Sequence, residues 1–253
     1  MSRDGDLCGM FGKVPQQADF VSLHMPESFT ETWHAWLQAW LTVSREQLGE
    51  QWLDYYITSP AWRFAIAPGI CGDRAAAGVM IPSVDEVGRY FPLVIAHLGG
   101  HGLWPAYLSG TSWFDEVERV ACGALAEDSG YMRLIENLEA LQPPAFQPLP
   151  RYRTRVPGMN AVKGWQIADV SGVAAADAAI GLLNQAYNRL LGGHSLWWTR
   201  GSDHVEPCLL ISAGLPEPGQ VAAMHDGEWE HWGWAREQVI ADGDDQQRSP
   251  LNG

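Results

Sequence analysis

Between Phe29 and Leu48, the residues Phe29, Trp33, Trp36, Leu37, Trp40, Leu41, Ser44 and Leu48 recur at spacings of three and four. That period places them on one wide helical face. Three indoles on one face must lie against a core of comparable extent. Ser28 and Glu31 have the spacing of a capping box, and Gly49 stands where a C-terminal cap belongs, so a helix is predicted over 29–48. A shorter helix, about Glu50 to Ile57, carries Trp52 and Tyr56. It ends at Ser59-Pro60, because the residue before a proline disfavours the α region. The chain has 13 tryptophans, which cluster at Trp33 to Trp62, at Trp197-Trp198 and at Trp229 to Trp234. Most read as core, and the remainder are candidates for anchoring a partner.

Strand-like runs follow at Trp62–Ala67, Ala75–Ile81 and Tyr90–Leu98, separated by Pro68-Gly69 and by Pro82 to Gly88. Connections this short favour antiparallel neighbours. A helical region is predicted from Ser112 to about Leu141, capped by Ser112 and Asp115 and broken at Gly130. Prolines at 143, 144, 148 and 150 enforce an extended connection, followed by the basic cluster Arg151, Arg153 and Arg155. The last third reads as strand (Trp165–Val170), helix (Ala174–Leu191, ended by Gly192-Gly193) and two strands (Ser195–Thr199 and Pro207–Ala213). One helix and three strands close no comfortable separate core, so these strands are expected to join the earlier sheet. The expected organisation is a flexible start over 1–8, a single domain over 9–225 and an acidic, disordered tail over 226–253. From Asp226 on, seven acids face two bases.

Formal charge of −14, with 30 acids against 16 bases, makes nucleic acid and anionic lipid poor partners. No apolar run reaches the roughly 18 residues of a membrane span, and no secretory signal opens the chain. Cys8, Cys71, Cys122 and Cys208 are far apart and suggest neither a disulfide scaffold nor structural zinc. A soluble protein of a reducing compartment is expected.

Catalytic motifs do not emerge. Gly69, Gly72 and Gly78 fit neither GxGxxG nor a P-loop. In Gly192-Gly193-His194-Ser195-Leu196-Trp197, Trp197 stands where a nucleophile elbow needs glycine. The run His225 to His231 holds two imidazoles and three carboxylates at no standard metal spacing, and no metal or cofactor is expected. The unusual segment is Pro82 to Pro92. There Asp85 and Ser83 favour a turn, and Arg89 must reach solvent or pair with a carboxylate. An Arg–acid pair pinning the turn is one reading; an arginine that faces a partner is the other.

Several ordered motifs resemble the type VI secretion-associated TagF family, also called ImpM. They include Gly9-Met10-Phe11-Gly12-Lys13-Val14-Pro15, Tyr56-Ile57-Thr58-Ser59-Pro60-Ala61-Trp62-Arg63-Phe64 and Gly78-Val79-Met80-Ile81-Pro82-Ser83-Val84-Asp85. Gly88-Arg89-Tyr90-Phe91-Pro92-Leu93 and Ser195-Leu196-Trp197-Trp198-Thr199 continue the likeness, which spans roughly Gly9 to Met224. The resemblance implies an α/β (α+β) sandwich, a mostly antiparallel sheet with helices packed on it, similar to longin-like domains. It also implies a non-enzymatic cytoplasmic repressor of type VI secretion that contacts a forkhead-associated scaffold protein. The alternative is an anion or phosphopeptide sensor of the same apparatus, using Arg63, Arg89 and the Arg151–Arg155 loop. Candidate partner-binding residues are Arg63, Ser83, Asp85, Arg89, Trp197 and Trp198; no catalytic residue is assigned.

Overall fold

Three strands, β3 (Trp62–Ile66), β4 (Ala75–Ile81) and β5 (Leu93–Gly99), are buried at every position but one. A sheet covered on both faces has no solvent side, so its strands read as apolar runs rather than alternating patterns. The computed structural model describes residues 7–126, 130–149 and 173–237. Within them β1 (Cys8–Gly12), β2 (Val21–Leu23), β6 (His194–Thr199) and β7 (Cys208–Ala213) complete one seven-stranded sheet. Its order is β2-β1-β5-β4-β3-β6-β7, with every neighbouring pair antiparallel.

Helices cover both faces. On one face α1 (Glu27–Leu48) and α2 (Trp52–Ile57) cover Phe64, Met80, Val94, Ala96 and Trp197. On the other, α3 (Leu103–Ser109), α4 (Thr111–Gly123) and α5 (Tyr131–Ala140) cover Ala65, Ala77, Val79, Ile95 and Leu196. The flank of α6 (Ala175–Leu191) adds Ile180 and Tyr187 to that second layer. The expected sandwich is the observed one, and β6 and β7 join the sheet as anticipated.

Several boundaries differ for physical reasons. The first helix begins at Glu27, and Pro26 is its cap. The Pro26 carbonyl accepts the Phe29 and Thr30 N–H groups at 3.0 and 3.1 Å, so Ser28 lies inside the helix and no capping box forms. Gly49 does close it, with a φ of 55° and its N–H on the Arg45 carbonyl. The expected helical region from Ser112 is two helices on either side of Gly130, and α3 precedes them. The run from Tyr90 enters the sheet only at Leu93; Tyr90 itself bridges to Val84 across the turn.

Strands β1 and β2 were not anticipated, because five residues with two glycines give no strand pattern. Gly12, at a φ of 137°, lies so close to β5 that an added Cβ would meet the Pro92 carbonyl oxygen at 2.2 Å. At Gly78 a Cβ would meet the Ile95 carbonyl oxygen at 2.3 Å. These glycines permit close backbone approach, and β1 already includes Cys8. The predicted strand Trp165–Val170 and the Arg151–Arg155 cluster lie outside the described residues, as do the first six residues and everything from 238 on.

The tryptophan stripe does more than fill space. The Trp36 and Trp40 indoles donate to the Pro216 and Val221 carbonyls at 2.8 and 3.4 Å, and the Trp62 indole donates to the Met224 carbonyl at 3.3 Å. These bonds seat the segment running into α7 (Ala223–Asp226). Packing of this kind continues past Asp226, where the tail was expected to start, within the described residues. The Trp234 indole donates to Gln220, the Trp232 indole donates to the Asp226 carboxylate, and Trp229 packs on the core. Trp36→Ala removes a core indole and the donor to Pro216. Unfolding titration is expected to show a loss of about 3–5 kcal/mol; an unchanged midpoint would contradict the core assignment.

Candidate docking surface over a buried ion-pair network

Lys13 follows β1 directly, and a cation there would ordinarily reach water. Instead its side chain is 6% exposed and pairs with the fully buried carboxylate of Asp85, in the turn between β4 and β5. Burial alone would raise the Asp85 carboxyl. Hydrogen bonds from Lys13 and from the Arg89 backbone and guanidinium outweigh it and hold the group well below the usual carboxylate range.

Each oxygen of Asp85 has a separate task. Its Oδ2 accepts from Lys13 Nζ and, at 2.6 Å, from Arg89 Nε. Its Oδ1 accepts the Val87 and Arg89 N–H groups at 3.1 and 2.8 Å. The Asp85 carbonyl also takes the Gly88 N–H, and Arg89 donates a further bond to the Ala18 carbonyl. The exposed loop 86–89 is thereby tied on its inner side to one buried carboxylate. Of the two readings of Arg89, the intramolecular pair is present, while 58% of its side chain is exposed.

Ser83 belongs to the same support. Its hydroxyl donates to the Lys13 carbonyl at 2.7 Å, its N–H donates to the Tyr56 hydroxyl, and that hydroxyl donates back to the Ser83 carbonyl at 2.8 Å. Burial pushes the Tyr56 phenol up, well above the ordinary tyrosine range. Tyr56 is thus locked as a neutral strut between α2 and the turn.

The other proposed contacts separate from this cluster. Arg63 is buried on β3 and engages Glu118 at 2.6 and 2.9 Å and Asp115 at 2.6 Å, both on α4. Arg200 reaches the same Asp115 from beyond β6, and the hydrogen bond from Arg63 holds the Asp115 carboxyl low. Trp197 is fully buried, with its ring 5.9 Å from Trp33 and 5.2 Å from Phe64. Trp198, on the opposite face of the same strand, is half-buried against Phe114 and Tyr107. Arg63, Ser83, Asp85 and Trp197 therefore lie inside this fold and hold it together. As a contact surface, the set reduces to Arg89 and the half-buried edge of Trp198.

An open cleft of about 560 Å³ adjoins the turn, lined by Arg45, Trp52, Leu53, Gly88, Arg89 and Tyr90. Sequence reasoning singled out neither Arg45 nor Leu53, because nothing local distinguishes them from solvated helix positions. Two histidines once weighed together part company. His225 is buried and stacked on Trp40 at 5.0 Å with its Nδ1 against the Ser59 hydroxyl, whereas His231 is exposed. The four cysteines are free, and burial pushes the Cys8 and Cys71 thiols up to about 12. Among the described residues no helix is long and apolar enough to cross a membrane.

Residues 9–141, which contain β1 except Cys8, β2 to β5, α1 to α5 and the whole Asp85 network, match the family model for the TagF N-terminal domain, type VI secretion system-associated. The chain belongs to the TagF family. A solved structure agrees: PA0076 from Pseudomonas aeruginosa PAO1 is 32% identical, with a TM-score of 0.75 over 92% of this chain and 99% of that one. No curated protein matches. For this TagF-family chain the match includes the Lys13, Asp85 and Arg89 positions, while β6, β7 and the indole-anchored segment lie beyond it.

Removing one partner of a buried pair strands the other charge. Asp85→Ala leaves Lys13 uncompensated and is expected to lower stability by about 3–5 kcal/mol; a loss below about 1 kcal/mol, as for an exposed pair, would contradict the network.

Acid should also act through His225, whose burial lowers its pKa from 6.5 to about 3. Between those values the unfolded chain binds a proton that the folded one refuses, so stability is present above 6.5 and falls as pH drops. His101, lowered to about 4 by burial, and His194, also lowered, add in the same direction. Urea midpoints at pH 8, 6 and 4.5 should therefore fall steadily. His225→Phe keeps an aromatic ring on Trp40 and should fall less steeply; identical slopes would contradict this account.

Proposed function

We propose that this chain is a non-enzymatic cytoplasmic regulator that represses type VI secretion after translation by contacting a forkhead-associated scaffold protein of that apparatus. The observation that carries the reading is the TagF-domain match over residues 9–141. The geometry supports a contact role. The exposed turn 86–90 is braced from beneath by Asp85, Lys13 and Ser83, so it presents Arg89 in a fixed position at low conformational cost on binding. The conspicuous charged clusters support the same reading, because Asp85 with Lys13 and Arg63 with Glu118 are mutually engaged rather than aimed into a pocket. The anion-sensor alternative loses Arg63, whose guanidinium is held by Asp115 and Glu118.

Arg89→Ala separates contact from scaffolding. Its pair with Asp85 is on the exposed side, so stability should change by no more than about 1 kcal/mol. Capture of the forkhead-associated scaffold from bacterial lysate should weaken about tenfold, as for a central arginine anchor, and secretion should rise. An unaltered melt with unaltered capture and secretion would remove Arg89 from the contact.

A further inference from the structure

We infer that the cleft between the last turn of α1, the helix α2 and the 86–90 turn is a docking groove for an acidic peptide segment of the protein partner. A carboxylate is held between Arg45 and Arg89, and a neighbouring apolar side chain lies on Leu53. This rests on the reading above that the braced turn meets a protein.

Four observations converge on the groove. Arg45 and Arg89 line the same cleft. The Arg45 guanidinium stacks over the Trp52 ring at 4.2 Å, and no acid pairs with it among the described residues. Stacking fixes the plane of a guanidinium while leaving its N–H edge able to donate to a carboxylate. Arg89 uses Nε and one terminal nitrogen internally, leaving Nη1 without a hydrogen bond among the described residues.

Beside these cations the cleft is lined by Trp52, Tyr90 and Leu53, the last 39% exposed. Outside the lining, Ile57 on the same helix is 58% exposed and Val87 on the 86–90 turn is 65% exposed. Residues four apart share a helix face, so Ile57 extends the exposed apolar face of Leu53 beyond the cleft. Charge complementarity selects the occupant. A chain of net charge −14 repels an acidic segment over most of its surface, so such a segment gains by settling where two arginines stand together. An occupant with carboxylates and leucine-like side chains in alternation satisfies both the paired arginines and Leu53.

The test uses the full chain and three fluorescein-labelled peptides: one alternating glutamate with leucine, one with every glutamate replaced by glutamine, and one with a single phosphothreonine in the glutamine version. Binding is followed by anisotropy for the wild type, Arg45→Gln and Leu53→Asp, with melting curves as the folding control. Both replaced side chains are exposed, so the melts should be unchanged. The glutamate–leucine peptide is expected to bind the wild type at least about tenfold more tightly than its glutamine counterpart, and each substitution should weaken it about tenfold. Added salt should weaken it as well. Absence of binding, equal binding of the glutamine peptide, or equal binding by both variants would overturn the groove. Arg45-dependent binding of the phosphothreonine peptide alone would overturn the carboxylate assignment in favour of a phosphorylated segment.

Capture of the scaffold by the same variants distinguishes this inference from the reading it rests on. If wild type and both variants capture it alike, the scaffold contact stands and the groove falls. If the wild type captures none while the peptides behave as expected, the groove stands and the scaffold reading falls.

Discussion

Everything on the candidate surface depends on one carboxylate that water does not reach. Asp85 lies between a cation from the end of β1, a guanidinium from its own turn and two backbone N–H groups. Desolvating a lone carboxylate costs several kcal/mol, so its burial is tolerated because Lys13 and the two backbone N–H groups stay with it, while the Arg89 guanidinium adds to them from the exposed side. The network therefore has a single satisfied arrangement. That arrangement fixes where β1 leaves the sheet, how the β4–β5 connection folds and where Arg89 emerges.

The aromatic layer and the ionic network share work through α2. Tyr56 lies with its ring 4.9 Å from Trp52 and gives its hydroxyl to the Ser83 backbone, so the helix that lines the cleft is tied to the turn opposite it. Trp52 in turn donates to Ser44 at 3.0 Å and supports Arg45 on its face. The indoles of α1 seat the chain around 216–224, so one helix organises both a core face and the late segment that closes over it. Leucine at positions 36 and 40 would supply area without the donor, whereas Trp33 contributes ring contacts with Phe29, Phe64 and Trp197.

Much of the frame was legible in the sequence. The helical stripe from Phe29, the run Ala75–Ile81, the Gly49 and Gly192 helix ends and the antiparallel pairing all follow from local period and turn chemistry. What escaped was decided at long range. Strand β1 is too short and too glycine-rich to announce itself, and it exists because Gly12 fits against Pro92. Lys13 and Asp85 are 72 positions apart and Arg63 and Glu118 are 55 apart, so no spacing rule could pair them. The Pro82–Pro92 segment stood out for its polar residues. Which of them face inward became clear only with the partners in place: Ser83 and Asp85 support the turn, and Arg89 is displayed by it. Arg45 and Leu53 carried no signal at all, because only the fold sets them across from the turn.

The central claim, that a buried carboxylate holds an exposed turn rigid, is tested most directly by residue-resolved amide hydrogen exchange. Val87 and Arg89 are exposed residues, yet the amides of both donate to Asp85 Oδ1. The account predicts slow exchange at both positions in the wild type and joint acceleration in Asp85→Asn, with the α1 amides remaining protected. Exchange at the rate of an unstructured peptide in the wild type would show that the turn is not held, and the account would be wrong.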